Sequence, residues 1–150
     1  MGYLSYFFST PLGHISLIAN EEALLQVHFE KKKTTGKNWI IAEAEKQLQE
    51  YFAGKIKKIQ IPIQLQVTDF QLLVLESVQK VQFGSTITYQ KLANILHKPN
   101  AVRAVGQALA ANPVPIIIPC HRVVGKNSLG GFKGGISRKK ILLALEKIDR

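Results

Sequence analysis

The spacing of apolar residues changes along the chain, and that change limits the folds open to it. Apolar and polar residues alternate in 15–17 and again in 25–29, and turn-forming residues separate these runs. From Trp39 to Ala53 apolar residues instead recur at helical spacing, and Gly54 follows as a C-cap candidate. The first part of the chain is therefore predicted to be a small antiparallel sheet covered by one helix.

A connecting segment, 55–67, contains a proline and is predicted to be extended. Three short helices are predicted after it, each with its own candidate N-cap: Asp69 for a helix to Val81, Thr88 for a helix to about His97, and Asn100 for a helix ending before Asn112. Three short helices with tight turns indicate a helix-turn-helix. A boundary near 66–69 gives two predicted domains, 1–66 and 67–150.

The net charge of +10 is concentrated in the second domain. Residues 1–68 hold 8 Lys/Arg against 6 Asp/Glu, whereas residues 69–150 hold 12 against 4. This asymmetry favours a polyanion such as nucleic acid as the partner of the second half, although a basic surface without a ligand would look similar.

The sequence gives no indication of a membrane partner. No run approaches the roughly 18 consecutive apolar residues of a membrane helix, and the amino terminus lacks the features of a cleaved leader. We expect a monomer in the cytoplasm, or in the nucleus of a eukaryote.

The third predicted helix, 101–111, has a distinctive composition. Val102, Val105 and Leu109 form one apolar stripe, and most other positions are alanine or glycine, with Arg103 among them. Small residues allow a helix to approach a narrow minor groove closely, and an arginine there can reach inward. A tightly packed internal helix with a solvated arginine is the alternative.

Cys120 is the only cysteine, which excludes an internal disulfide and a cysteine-rich zinc site. The four histidines show no ligand spacing with it, so we expect neither a metal nor another cofactor. The apolar run 113–119 predicts a buried strand before Cys120, and Pro119 fixes the turn. A free cysteine is commonly inert and buried, but His121 and Arg122 beside it favour a reactive thiolate.

Downstream, the glycine-rich segment 125–135 can bring backbone N–H groups close to a ligand, but it lacks the ending of a phosphate-binding P-loop. A final helix is predicted from about Ser137. Its first turn carries cations, where the helix dipole disfavours them, and a nearby phosphate backbone would explain them: Arg138, Lys139 and Lys140. Glu146, if it faces inward, needs a partner, and His121 is the candidate.

Three motifs together resemble the O6-alkylguanine-DNA alkyltransferases: 101–106, 112–115 and 118–124. The likeness is specific from about Phe70 to Glu146 and weaker in the first half, where 9–15 resembles the first hairpin of the family. It implies an α+β fold, with an N-terminal ribonuclease H-like α/β domain and a C-terminal winged helix-turn-helix domain that binds the minor groove of double-stranded DNA.

The resemblance also implies a function and a site. The function is DNA repair by stoichiometric, irreversible transfer of an alkyl group from O6-alkylguanine to Cys120 after the damaged nucleotide has been flipped out, with O4-alkylthymine left open as a second substrate. The implied catalytic residues are Cys120 (nucleophile), His121 (base), Glu146 (orienting acid), Tyr89 (proton or hydrogen-bond donor) and Asn112 (brace of the turn). The implied substrate-binding residues are Tyr89, Arg103, Leu109, Arg122, Val123, Phe132, Lys133 and Gly134. The implied DNA-binding residues are Arg103, Ala104, Gln107 and Lys126.

This chain departs from the family pattern at two positions. Phe132 stands where the family often has tyrosine, and Lys133 where it commonly has serine. Both leave the preference among alkyl groups open. Two other functions remain in view: a cysteine hydrolase using Cys120 and His121, and a DNA-binding regulator or damage sensor that does not react.

Overall fold

Three antiparallel strands form the sheet of the first of two compact units, Met1–Leu65. They are β1 (Leu4–Thr10), β2 (Gly13–Ala19) and β3 (Leu24–His28), in that order across the sheet. The register of β1 and β2 runs from Leu4 opposite Ala19 to Thr10 opposite Gly13. The computed structural model describes residues 2–147 of the chain, and it confirms the predicted meander.

Helix α1 (Trp39–Phe52) covers this sheet with one face. The side chain of Asn38 begins the helix by accepting a hydrogen bond from the Ile41 N–H at 3.0 Å. Gly54, with φ of 76°, follows the C-cap Ala53 in the left-handed conformation common after a helix end. The buried side chains of the helix are those of Ile40, Ile41, Ala44, Leu48 and Tyr51.

The connecting segment after α1 contains no helix, and residues 62–64 within it pair with the sheet. The Leu24 N–H donates to the Pro62 carbonyl at 2.9 Å, and the Gln64 N–H donates to the Leu24 carbonyl at 3.1 Å. Pro62 has no N–H and contributes only its carbonyl, which a position at the edge of a sheet allows.

The second unit, Gln66–Arg150, is mainly helical. Its elements are α2 (Asp69–Gln79), β4 (Ile87–Thr88), α3 (Tyr89–Ile95), α4 (Val102–Ala110), β5 (Val123–Val124) and α5 (Ile136–Leu145). Helices α2 and α3 pack on α4, and β4, which directly precedes α3, pairs in parallel with β5 after the cysteine turn.

The helix starts differ in part from those predicted. Thr68, not Asp69, caps α2: its Oγ1 accepts from the Gln71 N–H at 3.1 Å, and the Gln71 side chain accepts from the Thr68 N–H at 2.9 Å. Asp69 instead occupies the first turn. Thr88 caps α3 as predicted, whereas Ala101 occupies the cap position of α4 and Asn100 does not cap it.

No helix within residues 2–147 combines the length and the apolar character needed to cross a membrane.

The capping box of α2 yields a stability prediction. Thr68→Ala removes the acceptor for the Gln71 N–H and should lower the free energy of unfolding by about 1 kcal/mol. Thr68→Ser keeps the hydroxyl and serves as the control, with most of the stability retained. Urea unfolding of the three proteins measures the difference, and equal losses in both variants would contradict the capping role.

Candidate active site

Cys120 begins a short 3-10 turn, Cys120–Arg122, at the end of a buried irregular segment. The strand predicted for 113–119 is wrong. The chain instead folds back on itself: the Ile118 N–H donates to the Val114 carbonyl at 3.0 Å, and Ile116 adopts a φ of 76°. Prolines at three positions in this run remove the N–H groups that a strand would need.

The side chain of Asn112 holds this segment in place. Its Nδ2 donates to the Ile118 carbonyl at 3.0 Å, and its Oδ1 accepts from the Val114 N–H at 3.0 Å. Asn112 is fully buried, so both bonds are protected from water. The amide therefore fixes the backbone just ahead of Cys120.

A buried carboxylate lies behind the cysteine turn. Glu146, at the end of α5, has one oxygen 2.8 Å from His121 Nε2. Both of its oxygens accept from Arg122, at 2.9 Å from Nε and 3.0 Å from Nη2. Two-pronged pairing with a guanidinium is the arrangement that best compensates a carboxylate for lost water. Glu146 is thus the common partner of both residues that follow Cys120.

Arg122 is therefore placed away from the substrate role predicted for its side chain. In addition to Glu146, its Nη1 donates to the Val81 carbonyl at 2.7 Å. The guanidinium is 7% exposed and is not among the groups that line the cavity described below. Arg122 pairs with a buried carboxylate instead of contacting substrate, and the sequence alone could not show that these two residues are neighbours.

The buried imidazole of His121 is arranged to act as a base. Burial lowers its pKa, and the hydrogen bond to Glu146 opposes that shift only in part. The neutral ring then carries its proton on Nε2, facing Glu146. Nδ1 is buried and finds no hydrogen-bond partner within residues 2–147. The lone pair on Nδ1 is thus the one available to accept a proton.

Cys120 opens onto a cavity of about 440 Å³. Two walls face each other there: one comes from α4 and the other from the glycine-rich segment. The lining residues are Tyr89, Gly106, Leu109, Ala110, Cys120, Gly130, Gly131, Phe132 and Lys133. Four of these had been predicted to bind substrate: Tyr89, Leu109, Phe132 and Lys133.

Four predicted substrate residues are not among the lining residues, and one of them, Arg103, lies on the exposed face of α4. Arg122 is another; Val123 is buried in β5, and the carbonyl of Gly134 accepts a hydrogen bond from Arg138 at 2.9 Å. The sequence does not predict four small residues that also line the cavity: Gly106, Ala110, Gly130 and Gly131.

The thiol is protonated until a base acts on it. Burial raises the pKa of Cys120, while a hydrogen bond from Asn112 and the charges of Lys139 and Lys133 pull that pKa back down. Removing a proton from the thiol therefore needs an acceptor, and the cations then favour the thiolate that remains.

Tyr89 packs against the backbone of the glycine-rich segment. Its hydroxyl oxygen accepts from the Gly131 N–H at 3.1 Å. Gly130 has a φ of 73°, and a Cβ there would overlap the Tyr89 ring. Burial raises the pKa of Tyr89, so its hydroxyl keeps its proton. That hydroxyl donates to the Gly131 carbonyl across a long 3.5 Å, a weak bond that an acceptor in the cavity can replace.

The prediction for Lys139 is wrong. The sequence predicts this lysine near a phosphate backbone together with Arg138 and Lys140, but its side chain is fully buried. Its ammonium donates to the Val123 carbonyl at 2.6 Å and to the Gly131 carbonyl at 2.8 Å. The sequence did hold an indication of this: Lys139 lies three and four positions before the buried Leu142 and Leu143, on the same helical face. Lys139 ties the cavity wall to β5.

The exposed face of α4 carries the predicted DNA-binding residues. Arg103, Ala104 and Gln107 are exposed there, and Lys126 is exposed in the glycine-rich segment. The buried face consists of Val105, Ala108 and Leu109. Val102, predicted to belong to that face, is only half-buried.

Among residues 2–147, no three His, Cys, Asp or Glu side chains come together in a way that could hold a metal ion.

The fold and the site are those of a helix-turn-helix protein with a reactive cysteine. This cysteine lines a cavity, and a buried histidine and carboxylate lie behind it. Comparison with known families identifies this class of protein further. Residues 69–148 match the 6-O-methylguanine DNA methyltransferase, DNA binding domain, and residues 3–65 match the ribonuclease-like domain of the same proteins. The chain belongs to the 6-O-methylguanine DNA methyltransferase family.

Individual relatives agree over nearly the whole chain. A methylated-DNA--protein-cysteine methyltransferase of Methanosarcina acetivorans is 38% identical, over 93% of this chain and 95% of the relative. The crystal structure of the Mycobacterium tuberculosis O6-methylguanine methyltransferase superposes with a TM-score of 0.89 at 33% identity, covering 97% of this chain and 93% of that one. A structure of the M. tuberculosis protein in complex with DNA matches with a TM-score of 0.86 at 34% identity, covering 95% and 92%.

These matches confirm the predicted α+β fold, with its ribonuclease-like domain followed by a DNA-binding domain. They also confirm membership of a family of DNA-repair methyltransferases.

Burial of Lys139 predicts a pH dependence of stability. Burial lowers the pKa of Lys139 from 10.5 to about 8. Below pH 8 Lys139 is charged in both the folded and the unfolded chain, and the cost of burying this charge lowers the free energy of unfolding by its full amount. Between pH 8 and 10.5 the folded chain loses the proton while the unfolded chain keeps it, so stability should rise with pH.

Lys139→Met should abolish this rise. We would measure urea unfolding from pH 7 to 10.5 in a Cys120→Ser background, in which the thiol does not titrate. Lys140→Met, which changes the exposed neighbouring lysine, is the matched control and should keep the wild-type slope. Parallel curves for Lys139→Met and its parent would contradict the assignment.

Proposed function

We propose that this protein repairs O6-alkylguanine in DNA by transferring the alkyl group to Cys120, once per protein molecule. The observation that carries the proposal is the cavity that Cys120 lines, next to a histidine whose Nδ1 has no hydrogen-bond partner within residues 2–147 and whose Nε2 contacts Glu146. Membership of the family supports the substrate, and the geometry supports the chemistry.

The proton steps follow from the hydrogen bonds. His121 Nδ1 takes the proton of Cys120, directly or through a water molecule. The resulting imidazolium is stabilised by Glu146 at 2.8 Å. Arg122 holds Glu146 in position for this purpose, because its guanidinium donates to both carboxylate oxygens. Arg122 is thus a positioning residue.

The transfer itself is a displacement. The thiolate sulfur forms a bond to the alkyl carbon while the bond from that carbon to O6 breaks. The electron pair moves onto guanine O6, where the hydroxyl of Tyr89 supplies a hydrogen bond or a proton. The Gly131 N–H donated to the Tyr89 oxygen polarises that hydroxyl further.

The product explains why one event ends the reaction. A thioether has no electrophilic carbonyl for water to attack, so the alkyl group stays on Cys120. The reaction is therefore stoichiometric and irreversible, and no cofactor is needed.

DNA is proposed to bind by its minor groove to the exposed face of α4, where small residues permit close approach. Arg103 would fill the space vacated when the damaged nucleotide flips into the cavity. Gln107 and Lys126 would contact the duplex nearby, in the half of the chain that carries most of its positive charge. We propose action as a monomer in the cytoplasm, or the nucleus of a eukaryote, and O4-alkylthymine as a second substrate.

Intact-mass spectrometry tests the proposal directly. The protein is mixed with a duplex oligonucleotide that contains one O6-methylguanine. We expect a gain of one methyl group, which saturates at one per protein and maps to Cys120, and no gain in Cys120→Ser. An unchanged mass with the duplex bound would indicate a sensor or regulator. Methyl release with repeated turnover would indicate a hydrolytic enzyme.

Arg103 yields a second test. Arg103→Ala should slow transfer from duplex DNA by about tenfold or more, because a side chain that replaces a stacked base contributes roughly 1–3 kcal/mol. Transfer from free O6-benzylguanine, which needs no flipping, should change much less. Single-turnover rates on both substrates give the comparison, and equal losses on the two would contradict the role of Arg103 in flipping.

A further inference from the structure

Lys133 places a positive charge at the wall of the cavity. The residue is exposed, and its ammonium donates to the Asn112 carbonyl at 3.1 Å. Lys133 is one of the cavity-lining residues together with Cys120. The cation is thus part of the surface that a bound alkyl group would meet.

This ammonium is attached to the segment that carries the reacting sulfur. The carbonyl that holds it belongs to Asn112, whose side chain fixes the segment leading to Cys120. The charge of Lys133 is also felt at the thiol, since it contributes to lowering the pKa of Cys120. The ammonium is therefore held next to the turn before Cys120, by a residue that lines the same cavity as the thiol.

This charge has no acidic partner within the described part of the chain. None of the lining residues is acidic, and the ion pairs of residues 2–147 do not include Lys133. Glu146, the buried acid of the site, is engaged by His121 and Arg122. An ammonium has three N–H donors, and a single neutral carbonyl uses one of them. Lys133 can accordingly bind an anion without breaking an existing ion pair.

We propose that Lys133 selects lesions whose O6-alkyl group carries a carboxylate, such as O6-carboxymethylguanine. The inference rests on the proposed function and extends it to a class of substrate. The ammonium pairs with the carboxylate and holds the adjacent CH2 carbon before Cys120. The sulfur bonds to that carbon, the bond from carbon to O6 breaks, and its electron pair and a proton go to guanine. The product is S-carboxymethylcysteine at Cys120.

The first experiment needs no DNA. Cys120 is alkylated with iodoacetate and, separately, with iodoacetamide, which has the same shape but no charge. Because the chain has one cysteine, intact mass follows the reaction at Cys120 alone. Any change in the thiolate fraction affects both reagents equally, so the ratio of the two rates reports recognition of the carboxylate.

We expect Lys133→Met to lower the iodoacetate-to-iodoacetamide ratio by about fivefold or more, the size of one partly solvated ion pair. Lys133→Arg keeps the charge and should restore most of the ratio. Lys91→Met, which removes an exposed lysine of α3, is the control and should keep the wild-type ratio. A ratio that Lys133→Met leaves unchanged overturns the proposal.

The second experiment uses duplexes containing O6-methylguanine, O6-carboxymethylguanine or the neutral analogue O6-carbamoylmethylguanine. Single-turnover rates should show that the wild type prefers carboxymethyl to carbamoylmethyl, and that Lys133→Met loses this preference. If Lys133→Met lowers the rate equally on all three duplexes, and if its difference from the wild type shrinks at higher salt, Lys133 contacts the DNA backbone and the proposal is overturned. The duplex with O6-methylguanine tests the proposed function separately. If no methyl group is transferred from it while the iodoacetate-to-iodoacetamide ratio still depends on Lys133, the proposed function is contradicted but the carboxylate site is not.

Discussion

The buried carboxylate of Glu146 organises the reactive domain. It joins the end of α5 to the two residues after Cys120, through His121 and through both prongs of Arg122. Removing Arg122 or Glu146 would leave the charge of the other uncompensated away from water, which is among the most destabilising changes a core can suffer. The same contact fixes the imidazole tautomer. The stability of the domain and the basicity of the site therefore depend on one group.

A second electrostatic arrangement offsets the burial of the thiol. Burial alone disfavours a thiolate, but the charges of Lys139 and Lys133 lower the pKa of Cys120. The Lys139 ammonium donates to two carbonyls and lies over the Tyr89 ring, and no ion pair within residues 2–147 includes it. The site thus combines a neutral resting state, set by burial, with an environment that favours negative charge once it forms.

The sequence predicted this site well where the chemistry lies in residue type and poorly where it lies in burial. The Cys120–His121 pair, the inward Glu146 and the cap Thr88 were readable because local spacing and composition determine them. The strand before Cys120 was wrong, since a buried apolar run has no periodicity that separates a strand from a turn. Arg122 and Lys139 were misplaced because a cation is by default expected in solvent, and only a three-dimensional partner can show otherwise. The cap of α2 shifted by one residue for a similar reason: Thr68 and Asp69 are both good caps by type.

The conformation of Ile116 has a consequence for how the domain balances stability against reactivity. A β-branched residue with a φ of 76° is strained by roughly 1–3 kcal/mol. Such a conformation persists only where the surroundings leave no alternative, and here the surroundings are Asn112 and the prolines on either side. Part of the folding free energy is thus held as local strain next to the nucleophile, and the position of the thiol is set by a segment that would relax if its neighbours loosened. A glycine at this point would relieve the strain but would also free the backbone whose rigidity keeps the sulfur in line with its target.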